Sequence, residues 1–262
     1  MKNIFKVFAI AIILSFALVT MASCNTENAV VVGYTIYEPM NYKNEDGELV
    51  GFDTELAKMV FESLGYKVVF KEITWEQKYT ELESGSIDCI WNGFTSNGSD
   101  DGTPRDQLVD FSYNYMENRQ VVVVKNDSGI TSVEGLKDQI GYAEAGSAGE
   151  SYAKGFEGAI VKTVTKQTEA IFEVFAGTAK FAVVDAQLAK SLVGKGDYSN
   201  LQIVDTLSSD VEYYGIGFKK GSELTAKVNE KLEAFAKDGS LKKLAEKYSV
   251  ENTTILDFSD QK

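Results

Sequence analysis

Gly85-Ser-Ile-Asp-Cys-Ile-Trp-Asn-Gly-Phe-Thr95, followed by Arg105-Asp-Gln-Leu-Val-Asp-Phe-Ser112, is the stretch whose reading decides the fold. Gly85 marks a turn, and residues 87–91 form an apolar run of strand length. A loop then carries Asn92, Gly93, Thr95 and, after a polar excursion, Arg105. A second short strand over 108–111 closes the unit. Glycine lets a ligand approach the backbone, and the arginine fork matches a carboxylate bidentately. A strand that delivers glycine, hydroxyl and arginine to one place is suited to holding a small anion. The plainer alternative is a turn with a surface arginine. Arginine is scarce here: only Arg105 and Arg119 among 26 basic residues, which favours the ligand reading.

Working outward, strands and helices alternate. Residues 30–32 read as a buried β-branched strand, 33–42 as an aromatic-rich loop and Asp46-Gly47 as a turn. Gly51-Phe-Asp opens a helix with Asp53 as N-cap; Phe52, Leu56, Met59, Val60 and Leu64 follow at helical spacing, and Gly65 stops it. A strand over 67–73 leads to Trp75 on its exit loop and a helix over 76–84. Residues 113–120 read as a first crossing between two lobes, ahead of a strand over 121–124. The alternation resumes at 139–142, 159–164, 168–176, 181–184, 186–193 and 201–204. Residues 208–218 read as a return crossing. Helices over 223–237 and 241–248, broken by Gly239, finish the chain. Such alternation predicts mostly parallel sheets covered on both faces.

The first two dozen residues read as a leader. Lys2 and Lys6 precede a nearly unbroken apolar run over 7–19, and Met21-Ala-Ser-Cys24 ends it. A cysteine at that place resembles the lipobox of bacterial lipoproteins. The resemblance implies cleavage before Cys24 and acylation of its sulfur, palmitate included, enough for a stable membrane anchor. An ordinary secretory signal with a chance cysteine is the alternative. Removing Lys2 and Lys6 with the leader takes the net charge from −13 to −15, which argues against nucleic acid as a partner and against membrane contact beyond the anchor. Cys89, the second cysteine, sits in an apolar strand and reads as core. With no histidine in the chain, Ser-His-Asp and Cys-His catalysis and histidine zinc sites are excluded. No cofactor, metal or catalytic residue is expected.

Taken in order, Gly51-Phe-Asp-Thr-Glu-Leu-Ala, Trp75, Ser86-Ile-Asp-Cys-Ile-Trp-Asn-Gly-Phe-Thr95, Arg105 with Val109-Asp-Phe-Ser, Ala145-Gly-Ser147, Ala182-Val-Val-Asp185 and Tyr214-Gly-Ile-Gly-Phe resemble the polar amino-acid-binding proteins of bacterial ABC transporters, solute-binding family 3. The resemblance runs from about residue 30 to 248. It implies an α/β, two-lobed, type II periplasmic-binding-protein-like fold with two crossing segments. The lobes would be 30–114 plus 215–262 and 115–214, after a leader at 1–23 and a lipidated tether at 24–29. It also implies a monomer that closes on a free amino acid and serves an ABC permease from the outer face of the membrane or the periplasm.

An amino acid zwitterion in a dry cleft needs both charges paired. For the carboxylate the candidates are Arg105, Thr95 and the helix start at Ser147-Ala-Gly-Glu150, which reads as a capping box. For the ammonium they are Asp185, at the carboxyl edge of a buried strand, and the carbonyl of Gly93, with Asn92 beside it. Asp185 could instead only cap the helix that follows. Tyr37 and Trp75 would sandwich the ligand side chain, with core packing the alternative, and Trp91 reads as core. Tyr34 and Glu144 occupy positions that in similar proteins bear on side-chain selectivity. Glu144 and Glu38 favour a cationic or hydrogen-bond-donating ligand over an acidic one.

One departure from the family pattern stands out. Thr95 and Arg105 are ten residues apart where similar proteins have about five. The inserted Asn97-Gly-Ser-Asp-Asp-Gly102 is expected to be a solvated loop, with a calcium loop the alternative. The resemblance also leaves open a dehydratase of cyclohexadienyl or arogenate type on the same scaffold, with Glu144 or Glu38 as general acid, and a ligand-sensing lipoprotein.

Overall fold

In the computed structural model, which describes residues 28–261, the expected strand at 87–91 is Cys89–Thr95, with all seven residues buried. It lies at the centre of the first sheet. The order there is Lys67–Glu72, Ala29–Tyr34, Cys89–Thr95, Glu212–Phe218, Asp110–Phe111, and Met116–Asn118 also pairs with Glu212–Phe218. The second sheet runs Ile160–Val164, Ile140–Glu144, Phe181–Asp185, Gln120–Lys125, Leu201–Ser208. The fold is thus α/β and two-lobed, each lobe a sheet flanked by helices.

The sheets are mostly parallel, as expected, and one reversed strand in each makes them mixed. Ala29–Tyr34 is parallel to both neighbours, as is Ile140–Glu144 in the second sheet. Glu212–Phe218 and Gln120–Lys125 are antiparallel to theirs. Parallel neighbours need a crossover connection, usually a helix. The chain reaches Gln120 straight from Asn118 of the first sheet and Glu212 almost straight from Ser208 of the second, so these strands run the other way.

Cys89 and Trp91 are fully buried, Trp91 edge-on to Phe61 at 5.8 Å, as core residues should be. The helix Phe52–Ser63 differs at its start. Gly51, not Asp53, is the N-cap, at φ 128°. A Cβ there would lie 2.2 Å from the carbonyl oxygen of Met40, so only glycine fits. Asp53 turns inward instead.

The lobes touch across the cleft. Lys166 Nζ pairs with Glu72 Oε1 at 2.7 Å, Ser191 Oγ donates to the carbonyl of Glu38 at 3.3 Å, and Lys78 Nζ donates to the carbonyl of Gly146 at 3.0 Å. Among the described residues no helix is long and apolar enough to cross a membrane. The leader and Cys24 lie outside the described residues.

Candidate ligand-binding site

Between the lobes, at the carboxyl edges of Cys89–Thr95 and Phe181–Asp185, is a tight, nearly closed cavity with room for about one water molecule. The first lobe contributes Trp75, Asn92, Gly93, Thr95 and Arg105 to its walls; the second contributes Glu144, Ser147, Ala148, Gln167 and Asp185.

One end is acidic. Asp185 is buried and makes no side-chain cap to the helix Ala186–Leu192. It accepts instead from Asn118 Nδ2 and Gln120 Nε2, both at 2.6 Å, and from Gln167 Nε2. The same two amides also donate to Glu212 Oε1, at 2.9 and 2.5 Å, so they tie two carboxylates together. Burial raises the Asp185 carboxyl. Burial, then the Asp185 charge, pushes Glu212 up to about 7 and Glu144 up to about 8. Glu144 is 3% exposed, and its Oε1 has no hydrogen-bond partner. Three carboxylates this close and this dry do not all ionise unless a cation joins them.

The other end is basic. Arg105 opens the short helix Arg105–Leu108 and is 1% exposed. Its Nε and Nη2 donate to Asp100 Oδ1 at 3.1 and 2.8 Å, its Nη1 to the carbonyl of Thr95 at 3.2 Å, and its Nη2 to the carbonyl of Gly146 at 3.4 Å. Asp100 belongs to the inserted segment. The insertion leaves Asn97, Ser99, Asp101 and Gly102 exposed, as expected of a solvated loop, but Ser99–Asp100 pairs with Thr103–Pro104 as a small hairpin that turns Asp100 toward Arg105. The charges of Arg105 and Lys78 outweigh burial and hold the Asp100 carboxyl below its usual range. Lys78 is buried beside it, 3.4 Å from Asp100 Oδ2 and against the rings of Trp75 and Tyr79. Burial pulls its ammonium down to about 8.

Residues 30–251 match the family model of the bacterial extracellular solute-binding proteins, family 3. The chain belongs to that family. It is 28% identical over 249 residues to the arginine-binding extracellular protein ArtP of Bacillus subtilis, covering 91% of this chain and 95% of the relative. The L-cystine-binding protein TcyA of Bacillus subtilis is 29% identical over 238 residues, covering 89% and 85%. Among solved structures, an ancestral arginine-binding protein bound to arginine superposes with a TM-score of 0.77 at 35% identity, covering 84% of this chain and 98% of its own.

In this family 3 solute-binding protein, eight of the ten residues singled out from sequence line the cavity: Trp75, Asn92, Gly93, Thr95, Arg105, Glu144, Ser147 and Asp185. Two do not. Tyr34 packs edge-on against Phe70 at 6.1 Å and is not among the residues of the cavity wall. Tyr37 packs against Gly93, its hydroxyl 2.7 Å from that of Tyr214. Gly93 has φ 57°, and a Cβ there would sit 2.6 Å from Tyr37 Cε1. The bare glycine thus makes room for rings below it. Its N–H donates to Asp53 Oδ2 at 2.8 Å, and burial pushes that carboxyl up to about 7.

The amide of Asn92 is engaged by Thr35 and Asn41, which makes it an anchor for its loop. Ser147 caps the six-residue helix Ala148–Ala153 by accepting from the N–H of Glu150 at 3.0 Å, and Glu150 Oε2 accepts from the N–H of Gly146. The capping pair is present, displaced by one residue on its return bond. Glu38 lies in an outer groove with Tyr42 and Lys195. Asp100, Lys78, Gln167 and Glu212 escaped the sequence reading. Gln167 opens its helix one residue before the expected start, and Lys78 reads as part of a solvated helix face.

Proposed function

We propose that this protein captures one L-amino acid with a cationic or hydrogen-bond-donating side chain between its lobes and presents it to the permease of an ABC importer. In this reading Asp185 pairs with the α-ammonium, Arg105 with the α-carboxylate, and Glu144 with the donor at the side-chain end. Thr95 and Ser147 add hydroxyls, and Trp75 walls the side chain. Cys24 carries the lipid that keeps the monomer at the outer face of the membrane. The observation that carries the choice of ligand is Glu144. Its partnerless buried oxygen beside Asp185 asks for a second cationic or donating group on the same molecule. The relatives named for arginine support this direction.

A thermal-shift screen of ligand-stripped protein against the twenty amino acids tests the proposal. At a hundredfold excess over Kd, binding adds about 2.7 kcal/mol, which raises Tm by about 5–11 °C for a protein of this size. Arginine, lysine, histidine or glutamine should head the ranking. Absence of a shift with all twenty refutes the amino-acid reading. A second reading, a dehydratase using Glu144 as general acid, rests on its raised pKa. It is separated by turnover of cyclic hydroxy acids, which a binding protein leaves unchanged.

A further inference from the structure

The inserted segment does something the function proposed above does not require of it. Its hairpin brings one carboxylate against two buried cations at the basic end of the cavity. Asp100 Oδ1 takes both Arg105 bonds, while Oδ2 accepts from Tyr79 Oη at 2.5 Å and faces Lys78 Nζ at 3.4 Å. The segment is pinned on both sides. Asn97 Oδ1 accepts from the N–H of Tyr213 at 3.0 Å, and the carbonyl of Gly98 accepts from the N–H of Arg105 at 3.0 Å. Phe94 supports the guanidinium, its ring centroid 5.2 Å away.

A guanidinium has five N–H donors. Asp100 takes the one on Nε and the neighbouring one on Nη2, and the carbonyl of Thr95 takes one on Nη1. One N–H is left on each terminal nitrogen, with the long 3.4 Å contact to Gly146 on the Nη2 side. We propose that Asp100 is a positioning residue for carboxylate capture: it holds the side edge of Arg105 so that the terminal fork faces the ligand. It also offsets one of two adjacent cations. Arg105 and Lys78, at 1% and 2% exposure, would otherwise present a double positive charge. With Asp100 between them this end carries a single one, matched to one α-carboxylate. The inference rests on the amino-acid reading.

The test compares L-arginine, L-lysine, L-histidine and L-glutamine with their α-carboxamides by calorimetry on wild type, Asp100→Asn and Asp100→Glu. In wild type the acid should bind about 10- to 150-fold more tightly than its amide, as loss of charged hydrogen bonds implies. In Asp100→Asn that ratio should fall to within about threefold, and Asp100→Glu should restore part of it. A merely structural role weakens acid and amide alike. Should Asp100→Asn not fold, Tyr79→Phe, which frees one oxygen of Asp100, should lower the ratio in the same direction. Nitrogen NMR of the wild type adds a readout independent of any variant. With two arginines in the chain, one Nε–H should exchange slowly with solvent.

An unchanged acid-to-amide ratio in the variants overturns the proposal. So does tighter acid binding in Asp100→Asn, which would make the hairpin a competitor for Arg105. If no amino acid binds wild type, the amino-acid reading itself falls, and the carboxylate role with it.

Discussion

Replacing Asp185 by asparagine should move ligand affinity and ligand-free stability in opposite directions. Asp185 is buried, close to Glu144 and Glu212, and its carboxyl is raised by that burial. In the proposed complex it faces an ammonium in a dry site, and removing one member of such a pair costs about 3–5 kcal/mol. That is a loss of about 10²- to 10³-fold or more in Kd, since each 1.4 kcal/mol is tenfold. Without ligand the carboxylate is a burden, because its charge raises both neighbours. Asparagine keeps an acceptor for Asn118 and Gln120 while removing that charge, losing the bond from Gln167 Nε2. Titration calorimetry should therefore show the loss of affinity, and melting at pH 8 should show a Tm equal to or above that of wild type. An affinity loss below about fivefold, or a clear fall in ligand-free Tm, would refute the assignment of Asp185 as an ammonium partner held in reserve.

Other outcomes follow from the same structure. Gly93→Ala should lower Tm, because a Cβ placed 2.6 Å from Tyr37 Cε1 at φ 57° overpacks the floor, at a cost of about 1–3 kcal/mol; an unchanged Tm would show that the rings below move freely. Lys166→Ala breaks a half-exposed ion pair across the cleft, worth less than about 1 kcal/mol, so ligand affinity should change less than about fivefold and the difference should shrink in high salt. Ligand-free stability should fall as pH rises from about 4 to 8. Asp53, Glu144, Asp185 and Glu212 have folded pKa values above their unfolded ones, so the native state binds more protons in that window. Carboxylates held low, such as Asp100 and Glu55, act with the opposite sign but below that window. A Tm that climbs steadily from pH 5 to 8 would contradict this account.

Much of the architecture is legible in the sequence because periodicity and turn chemistry agree locally. Phe181–Asp185, Gln167–Ala176 and Leu224–Lys237 fall within a residue or two of where apolar spacing puts them. The mixed sheets are less legible, since strand direction depends on how the chain passes between lobes and not on any strand's own pattern. At the site, Arg105 and Asp185 announce themselves as charged residues at strand and helix ends. Lys78 does not: a lysine in Lys78–Glu83 reads as solvated until Trp75, Tyr79 and the carbonyl of Gly146 enclose it. Asp100 is hidden for a related reason. A Gly-Ser-Asp-Asp-Gly run has the composition of an exposed loop, and only the return of the chain at Arg105 shows which aspartate is used. Tyr37 is harder to place from sequence, because its packing against Gly93 and its contact with the Tyr214 hydroxyl depend on segments far apart in the chain.

The most direct test of the central claim is a crystal structure of the protein with whichever L-amino acid gives the largest thermal shift. One molecule should occupy the cavity between Arg105 and Asp185. Its carboxylate should sit on the terminal fork of Arg105, its α-ammonium within hydrogen-bond distance of Asp185, and its side-chain donor toward Glu144. An amino acid bound in the reverse orientation, or seated in the outer groove beside Glu38, would contradict it.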